Sequence, residues 1–452
     1  MLQSFAGERK VRIDYVGLEE KQAFAHKLIE EGDLPEEVIR YSLFDTINSG
    51  CSIGANRNAL LLYTPGELLF GADDDTECQI APSPRLNMGL AFNPMSDFMQ
   101  IWSFPDREAA LQSVSFVNKD VLAIHVQLLG RELKVCLADP ALAADLEFRQ
   151  VNTRQLRAIV SGDGRVATTF TGLIGDSGMP TPLAYLLLDH ESHDRLVKSD
   201  KEYLTAMTSR EIFRVVDRPV IGSNAWCVTT TIGFDNRRLL PPFMPMFRGE
   251  DDVYGATLGT CFDNYFCGHL PYAIAHLPEG RGYYPRDYIN EFASNLLVCS
   301  IIATCMVSFS LWDGMMSDSD RLRMAGKFLM EIAQMSQTDF EEYLRLQVVR
   351  MHSITITMLE AHLQKHGGSP RIWAEDLEKY IDALQTAPTN PDFLVPRDML
   401  ALYPLEEARN HSRLFVGNYG KLLYWWPEIV EAAKSLVARY GDGANFRVRF
   451  SG

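Results

Sequence analysis

The sequence has no closely spaced cysteines. Its eight cysteines are scattered, and no CxxC pair occurs among them. Disulfide frameworks of small secreted domains and structural zinc sites both need clustered cysteines, so neither is expected. Segment 1–17 also has no apolar run after its basic residues, unlike a secretory signal. These absences predict reduced thiols in a cytoplasmic protein.

Excess positive charge is also missing, since the formal net charge is -16 at pH 7. A chain of this charge repels a phosphate backbone, which argues against a nucleic-acid partner. A nucleotide-sugar donor remains compatible, because a bound divalent metal neutralises a diphosphate locally.

Long uncharged runs are scarce, and one needs weighing as a membrane span. Residues 292–312 carry no charge over a length that suits a bilayer. They include Asn295 and several hydroxyl residues, and Glu291 and Asp313 flank them instead of Lys or Arg. A buried helix is therefore expected, with no membrane span; peripheral membrane contact stays open.

The N-terminal part has the rhythm of an α/β fold. Alternating polarity predicts a strand over 9–17, helical spacing predicts a helix over 19–32, and segment 36–44 is interpreted as the next strand. Segment 54–75 predicts a helix, a Pro-Gly turn and an apolar strand that ends in three aspartates. An α/β sheet with parallel strands is the predicted class.

A chain of 452 residues is longer than is usual for a domain with a single hydrophobic core. Two domains are therefore predicted, 1–285 and 286–452. Residues 80–220 are less regular and are a candidate insertion, with a helix expected near 107–113, a strand at 121–129 and a turn at 161–165. The second domain is predicted to be all-α, and it offers a surface for homo-oligomer formation. Its predicted features are a capping box from Thr338 to Glu341, a helix end at Gly367, a loop over 386–398 and a last helix from Pro427 to Gly441.

Three adjacent acids, Asp73, Asp74 and Asp75, follow the apolar strand. Open α/β sheets bind ligands beyond the carboxyl ends of their strands. Alternate side chains point the same way, so Asp73 and Asp75 can face one ligand, and carboxylates suit Mg²⁺ or Mn²⁺ on a diphosphate. A solvated acidic turn is the alternative.

A second acidic site is the RGEDD sequence, where Gly249 precedes Glu250 and Asp251. A glycine lets backbone approach a ligand, and one carboxylate can then act as general base. Acids at a helix N-terminus are the structural alternative. A third candidate is His276, an imidazole suited to manganese, with His269 as a nearby competitor. A structural histidine at a strand end is the alternative.

Two other features have both a functional and a structural interpretation. The Gly- and Pro-containing segment 172–182 suits a binding loop near the site or an ordinary connection. Trp425 and Trp426 suit stacking on a sugar ring or anchoring a helix in a core.

Taken in order, these motifs resemble glycosyltransferase family 2. In GANRNALLLYTPGELLFGADDD, a Gly and the pair Arg57-Asn58 precede a small-Gly-Glu turn, a strand and a DxD motif. RGEDD resembles the family's ED motif, and AHLP resembles the later strand that supplies a histidine. The similarity covers residues 9–285 and implies a GT-A, Rossmann-like nucleotide-diphospho-sugar transferase domain.

The resemblance also implies roles. Asp75, Asp73 and His276 would hold Mn²⁺ or Mg²⁺, with Asp73 near the ribose as well. Asp251 would be the base, and Glu250 would lie beside the acceptor. Arg57 and Asn58 would line the donor pocket.

The reaction implied is transfer of a sugar from a nucleotide-sugar donor, UDP-linked by expectation, to a glycan, peptide or small molecule, with inversion. The sequence departs from the family in two ways: segment 9–17 resembles the family's second strand, so we expect the first strand-helix unit to be absent, and the interval from Asp75 to Asp251 is longer than is usual for the family. A catalytically inactive binding or scaffold protein is therefore the alternative function. A nucleotidyltransferase would explain the acids but not Arg57-Asn58 or His276.

Overall fold

Two long, fully buried strands form the centre of the protein. The computed structural model describes residues 13–93, 99–149, 151–222, 227–285, 287–309, 316–440 and 448–450. These two strands, β7 at Arg165–Asp176 and β11 at Tyr265–His276, are buried along their whole length and pair in parallel. The strands are β1 Ile13–Tyr15, β2 Leu68–Ala72, β3 Thr76–Pro82, β4 Leu90–Phe92, β5 Gln100–Ser103, β6 Leu146–Phe148, β7 Arg165–Asp176, β8 Glu211–Val215, β9 Val220–Gly222, β10 Thr231–Asp235, β11 Tyr265–His276 and β12 Val448–Phe450.

Ten strands join one mixed sheet in the order β2-β10-β7-β11-β9-β4-β6, with β3 paired to β11, and β8 paired to β5 and β7. Strand β10 runs antiparallel to both β2 and β7. Strands β2, β7 and β11 therefore share one direction. Their carboxyl ends, Ala72, Asp176 and His276, lie at the same edge of the sheet.

Helices surround the sheet and dominate the C-terminal part. They are α1 Leu18–Gly32, α2 Glu36–Leu43, α3 Ile53–Tyr63, α4 Arg107–Gln112, α5 Val121–His125, α6 Leu133–Ala138, α7 Pro140–Ala143, α8 Thr153–Ser161, α9 His190–Leu196, α10 Asp200–Thr208, α11 Glu250–Cys261, α12 Tyr288–Ala293, α13 Val298–Ser308, α14 Asp318–Gln334, α15 Gln337–His366, α16 Arg371–Thr386, α17 Arg397–Leu400 and α18 Leu405–Tyr440, with short 3₁₀ turns at Leu183–Leu187 and Ala387–Thr389.

A mixed α/β region followed by a helical region is thus confirmed, but the sheet is mixed and not parallel throughout. Helix α1 and the helix-strand pair α3-β2 appear where predicted, and α4 matches the helix expected near 107–113. Of the strand expected over 9–17, residues 13–15 are a strand and 9–12 lie outside the described residues. The C-terminal part departs from all-α, because β12 pairs antiparallel with β1.

Two strand predictions are wrong. Segment 36–44 is helix α2, in which Val38, Ile39 and Ser42 are buried with the spacing of one helix face. Segment 121–129 begins with helix α5, because the Asp120 carboxylate accepts from the amides of Leu122 and Ala123 and caps it. In both segments a short apolar run packs one face, and apolar content alone does not separate that from a strand.

The long C-terminal helices differ from prediction at their ends. Ser336, not Thr338, caps α15 by accepting from the Asp339 amide, whereas the end at Gly367, with φ 64°, is as predicted. The predicted start at Pro427 is wrong, since α18 runs through it. Trp426 and Ile429 on either side are fully buried, so packing offsets the hydrogen bond lost at the proline.

The largest apolar core joins both parts of the chain. It combines Phe24 of α1, Phe170 of β7 and Phe234 of β10 with Ile302 of α13 and Leu422 of α18. A second core likewise combines residues on both sides of position 285. Residues 292–309 contribute α13 to the first core, and no helix among the described residues is both long and apolar enough to cross a membrane. All eight cysteines are free thiols.

Candidate functional site

The carboxyl edge of the sheet brings three polar side chains together. Asp75 follows β2, Asp176 ends β7 and His276 ends β11. The register pairs His276 with Gly175 of β7 and with Thr76 of β3, which places the histidine between the two acidic segments. Residues a hundred or more positions apart therefore meet because three strands run in one direction.

His276 is held in a defined orientation. Its Nδ1 lies 2.7 Å from the Asp176 carbonyl oxygen, and only 2% of the residue is exposed. A carbonyl oxygen only accepts, so the Nδ1 carries a proton. The Nε2 lies 3.3 Å from Asp75 Oδ1, a buried oxygen that has no hydrogen-bond partner.

In the neutral form of this pair, no proton lies between the two facing atoms. A neutral imidazole with its proton on Nδ1 presents a lone pair at Nε2, facing a carboxylate oxygen that also only accepts. A proton on Nε2 or a metal cation between the two atoms would satisfy both. Asp75 and His276 are thus matched to share a cation.

Two arginines balance the acids beside this pair. Arg281 lies 3.6 Å from Asp75 Oδ2 and 3.5 Å from Asp176 Oδ1. Arg210 donates to both oxygens of Asp176 at 2.7 and 3.0 Å. Burial alone would raise the pKa of Asp176, but the Arg210 guanidinium and the Gly178 amide outweigh it and hold the pKa below its usual value. Asp176 is therefore an ionised anchor at neutral pH.

Arg57 joins the DxD segment to the ED segment. Its guanidinium donates to Asp73 Oδ1 at 3.0 Å and also pairs with Glu250 Oε1. Burial raises the pKa of both Asp73 and Glu250, although the charge of Arg57 opposes the shift in each case. Asp73 is therefore engaged with Arg57, while the Asp75–His276 pair forms separately.

Helix α11 starts at the ED segment because of Gly249. This residue caps the helix with φ 85°, and a Cβ there would overlap the Cys299 Sγ. Both constraints call for glycine. Burial and then the neighbouring Asp252 charge raise the pKa of Asp251 to about 6, with Arg57 opposing the shift. Such a carboxylate is a competent proton acceptor near neutral pH.

A cleft of about 380 Å³ opens beside these residues. Three acids, Asp73, Asp74 and Asp75, and three arginines, Arg57, Arg248 and Arg281, contribute to its lining, together with Ile53, Asn56, Leu60, Gly71, Ala72, Thr229, Ile232 and Phe234. Acidic and basic groups thus face one opening of a size that suits a small ligand.

Four of the predicted site residues, Asn58, Glu250, Asp251 and His276, are not among those that line the cleft. Asn58 is fully buried, donating to the Ser42 and Phe243 carbonyls and accepting from the Phe243 amide. It holds helix α3 to the segment before α11. Asp251 is next to Glu250 and close to Arg57, outside the lining. His269, the competitor of His276, is buried within β11, stacked on Phe170.

Asp176, Arg210 and Arg281 were missed as individual site residues. A signal was present for Asp176, because GLIGD repeats the pattern of an apolar strand, a glycine and an acid seen in FGAD. Segment 172–182, considered as a binding loop, supplies Asp176 as the last residue of β7 and continues as a loop. Trp426 anchors α18 by donating to the Leu240 carbonyl at 2.7 Å, as its structural interpretation predicted.

Comparisons with models of known protein families, with curated proteins and with solved structures found no match.

Proposed function

We propose that the protein is an inverting, metal-dependent glycosyltransferase with a GT-A-like domain, which transfers a sugar from a nucleotide-diphosphate donor. The observation that carries the proposal is the Asp75–His276 pair, 3.3 Å apart at the carboxyl edge of the sheet. It lies beside a cleft that holds both acids and arginines. The order of the DxD, ED and histidine motifs adds to this geometry.

The residues divide the chemistry between them. Asp75 Oδ1 and His276 Nε2 would hold Mn²⁺ or Mg²⁺, for which carboxylate and imidazole are suitable ligands. When bound, the metal stabilises the charge that develops on the leaving nucleoside diphosphate. Arg281 and Arg248 line the same cleft and suit phosphate oxygens.

Asp251 would remove the proton of the acceptor nucleophile. Its pKa of about 6 leaves it mostly ionised at pH 7 and still basic enough to accept a proton. Attack on the anomeric carbon from the face opposite the diphosphate inverts its configuration. Arg57, paired with Glu250 and Asp73, couples the acceptor side to the donor side. Asp73 would turn to the donor ribose or the metal if that pair opens.

The proposal can be tested by measuring the Tm of the protein with a panel of nucleotide sugars, in the presence and in the absence of Mn²⁺. A ligand bound only by the folded state stabilises it, so one donor class should raise Tm only when Mn²⁺ is present. Asp75→Asn should abolish the shift, whereas Glu77→Gln, an equal change of charge on the exposed start of β3, should keep it. Release of the nucleoside diphosphate on adding acceptors would then identify the transfer.

The outcomes separate the candidate functions. No shift with any donor would reject the proposal. A metal-dependent shift without transfer to any acceptor would favour the catalytically inactive binding protein. Inorganic pyrophosphate release from nucleoside triphosphates would favour a nucleotidyltransferase.

A further inference from the structure

Three histidines form a cluster, and none of them lines the cleft. His193 belongs to α9, and His362 and His366 are one turn apart on α15. One ring nitrogen from each lies within 4.8 Å of the others. Histidines at positions i and i+4 of a helix project from one face, which is the spacing that lets two imidazoles share a ligand.

Three ring nitrogens of the cluster have no hydrogen-bond partner. His193 is only 3% exposed, and neither of its ring nitrogens has a hydrogen-bond partner. Its nearest acid is Asp194, at 3.8 Å, beyond hydrogen-bonding distance. The Nε2 of His366 has no hydrogen-bond partner either. Burying such groups without partners costs free energy, and a bound cation would recover it.

His362 is already oriented as a ligand. Its Nε2 lies 2.8 Å from the Leu188 carbonyl oxygen, which fixes the proton on Nε2 and leaves the lone pair on Nδ1. Metal-bound histidines commonly donate their second nitrogen to a backbone carbonyl in this way.

The surroundings of the cluster are apolar on one side and acidic on the other. Trp373 packs edge-on against His193, with ring centroids 5.1 Å apart, and is fully buried. Asp189 Oδ1 lies 3.6 Å from the His366 Nε2, and Lys365 pairs with the same carboxylate. The Asp189 carboxylate would offset part of the charge of a cation bound here. Lys365 reduces this effect because it already pairs with the same carboxylate.

We propose that His193, His362 and His366 bind one Zn²⁺ ion that fastens α9 to α15. Three neutral imidazoles suit zinc and related transition metals, and they suit Mg²⁺ poorly. Zinc–nitrogen bonds of about 2.0 Å in a tetrahedral site place ligand nitrogens about 3.4 Å apart, so the rings close in by rotation of their side chains. Bringing the nitrogens together in this way would open the stack of the His193 and His366 rings, whose centroids are 3.6 Å apart.

The test measures zinc on the full chain after chelator treatment. Titration with Zn²⁺ alone should saturate this site at one ion per chain, with a rise in Tm, and a large excess of Mg²⁺ should not displace it. His366→Gln and His362→Gln should each weaken Zn²⁺ binding at least tenfold. His366 is partly exposed, so its variant is expected to fold even if the other does not.

Two controls make the result specific. His352→Gln changes a histidine of the same helix whose Nδ1 contacts the Leu384 carbonyl, and it should bind zinc like the unchanged protein. Asp75→Asn removes the proposed metal ligand at the cleft and should leave this zinc ion in place. The proposal would be overturned if the unchanged protein did not bind zinc, or if His352→Gln and His366→Gln weakened zinc binding equally. The three histidines would then only pack against Trp373.

Discussion

At the scale of single residues, the two acidic segments are held in different electrostatic settings. Asp75 faces the His276 imidazole and the Arg281 guanidinium. The pKa of Asp251, in contrast, is raised by burial and by the charge of Asp252. One carboxylate is therefore placed beside potential ligands, and the other beside groups that make it basic. The same substitution should affect them differently.

Asp75→Asn and Asp251→Asn distinguish the two roles. Asp75→Asn removes a charged metal ligand, so Mn²⁺-dependent donor binding and turnover should fall together. Asp251→Asn keeps the Asp75–His276 pair, so donor affinity should change little while kcat falls about 10²- to 10⁴-fold. Calorimetric donor binding and product formation measure both. Equal loss of donor binding in the two variants would place Asp251 in the metal shell, and full transfer by Asp251→Asn would remove it from the mechanism.

Asp251 should also weaken the fold at neutral pH. Its folded pKa of about 6 lies above the usual aspartate value, so the native state binds more protons than the unfolded state between about pH 4 and pH 6. The associated stability is present below that window and is lost as pH rises through it. Asp251→Asn should therefore be more stable than the unchanged protein at pH 7, by up to about 3 kcal/mol, with most of this difference gone near pH 4.

Urea unfolding at the two pH values measures this difference. Glu77→Gln, on an exposed position, should show no comparable gain at pH 7. A gain for Asp251→Asn that is the same at pH 4 and pH 7 would mean that the carboxylate does not titrate in this window.

At the scale of elements, helix α3 is positioned by close backbone contact. The Ala55 amide donates to the Pro245 carbonyl at 2.9 Å, and a Cβ on Gly54 would overlap the Met244 carbonyl oxygen. The helix then presents Arg57 to Asp73 and Glu250. The close approach of this backbone therefore explains the glycine at position 54 without any ligand.

Asn58→Ala tests whether that residue positions α3 or contacts the donor. The substitution leaves the Phe243 amide and two carbonyls without their partner, which should cost about 2–4 kcal/mol of unfolding free energy. Donor affinity of the folded protein should be nearly unchanged. Asn410→Ala, on the exposed face of α18, should alter stability by less than about 0.5 kcal/mol. Loss of donor affinity without loss of stability would return Asn58 to the donor pocket.

The sequence predicted those elements whose local and tertiary signals agree. Helix α1, strand β2 and the end of α15 carry clear periodicity or a glycine cap, and they appear as expected. Segments 36–44 and 121–129 were assigned wrongly because burial on one side makes a short apolar run ambiguous. A proline is typical of the first turn of a helix, so the sequence predicts a helix start at Pro427. The packing that holds α18 together across this proline is not visible in the sequence alone.

The site was predictable only in part, for a physical reason. Acids after an apolar strand and a histidine at a strand end mark the carboxyl edge of a sheet, so Asp75 and His276 could be named. Arg281 and Arg210 come from loops whose positions depend on the whole sheet, and no local pattern marks them. The buried role of Asn58 likewise depends on a contact with Phe243, far along the chain.

At the scale of the whole molecule, the helical region completes the core under the sheet. Trp426 donates to the Leu240 carbonyl, and the Tyr419 hydroxyl lies 3.1 Å from the Pro242 carbonyl oxygen. Both contacts fix the segment that leads into Gly249 and the ED sequence. Helix α18 therefore supports the position of Asp251 without touching the cleft.

Such a shared core predicts that the sheet and the helical region unfold together. Leu422 of α18 is fully buried in the cluster that contains Phe170 of β7 and Phe234 of β10. Leu422→Ala should cost about 2–5 kcal/mol. Because one core is disrupted, slowly exchanging amides of β7 and β11 should lose the same free energy of protection as those of α18.

Native-state hydrogen exchange resolved by peptide measures each element separately. Leu414→Ala is the matched control, since that leucine lies on the same helix with 51% of its surface exposed, and protection should be almost unchanged throughout. If Leu422→Ala lowered protection in α14 and α18 while β7 and β11 kept theirs, the two regions would be separate folding units. The support that α18 gives to the ED segment would then be a contact between domains, and its loss should leave the sheet edge with Asp75 and His276 intact.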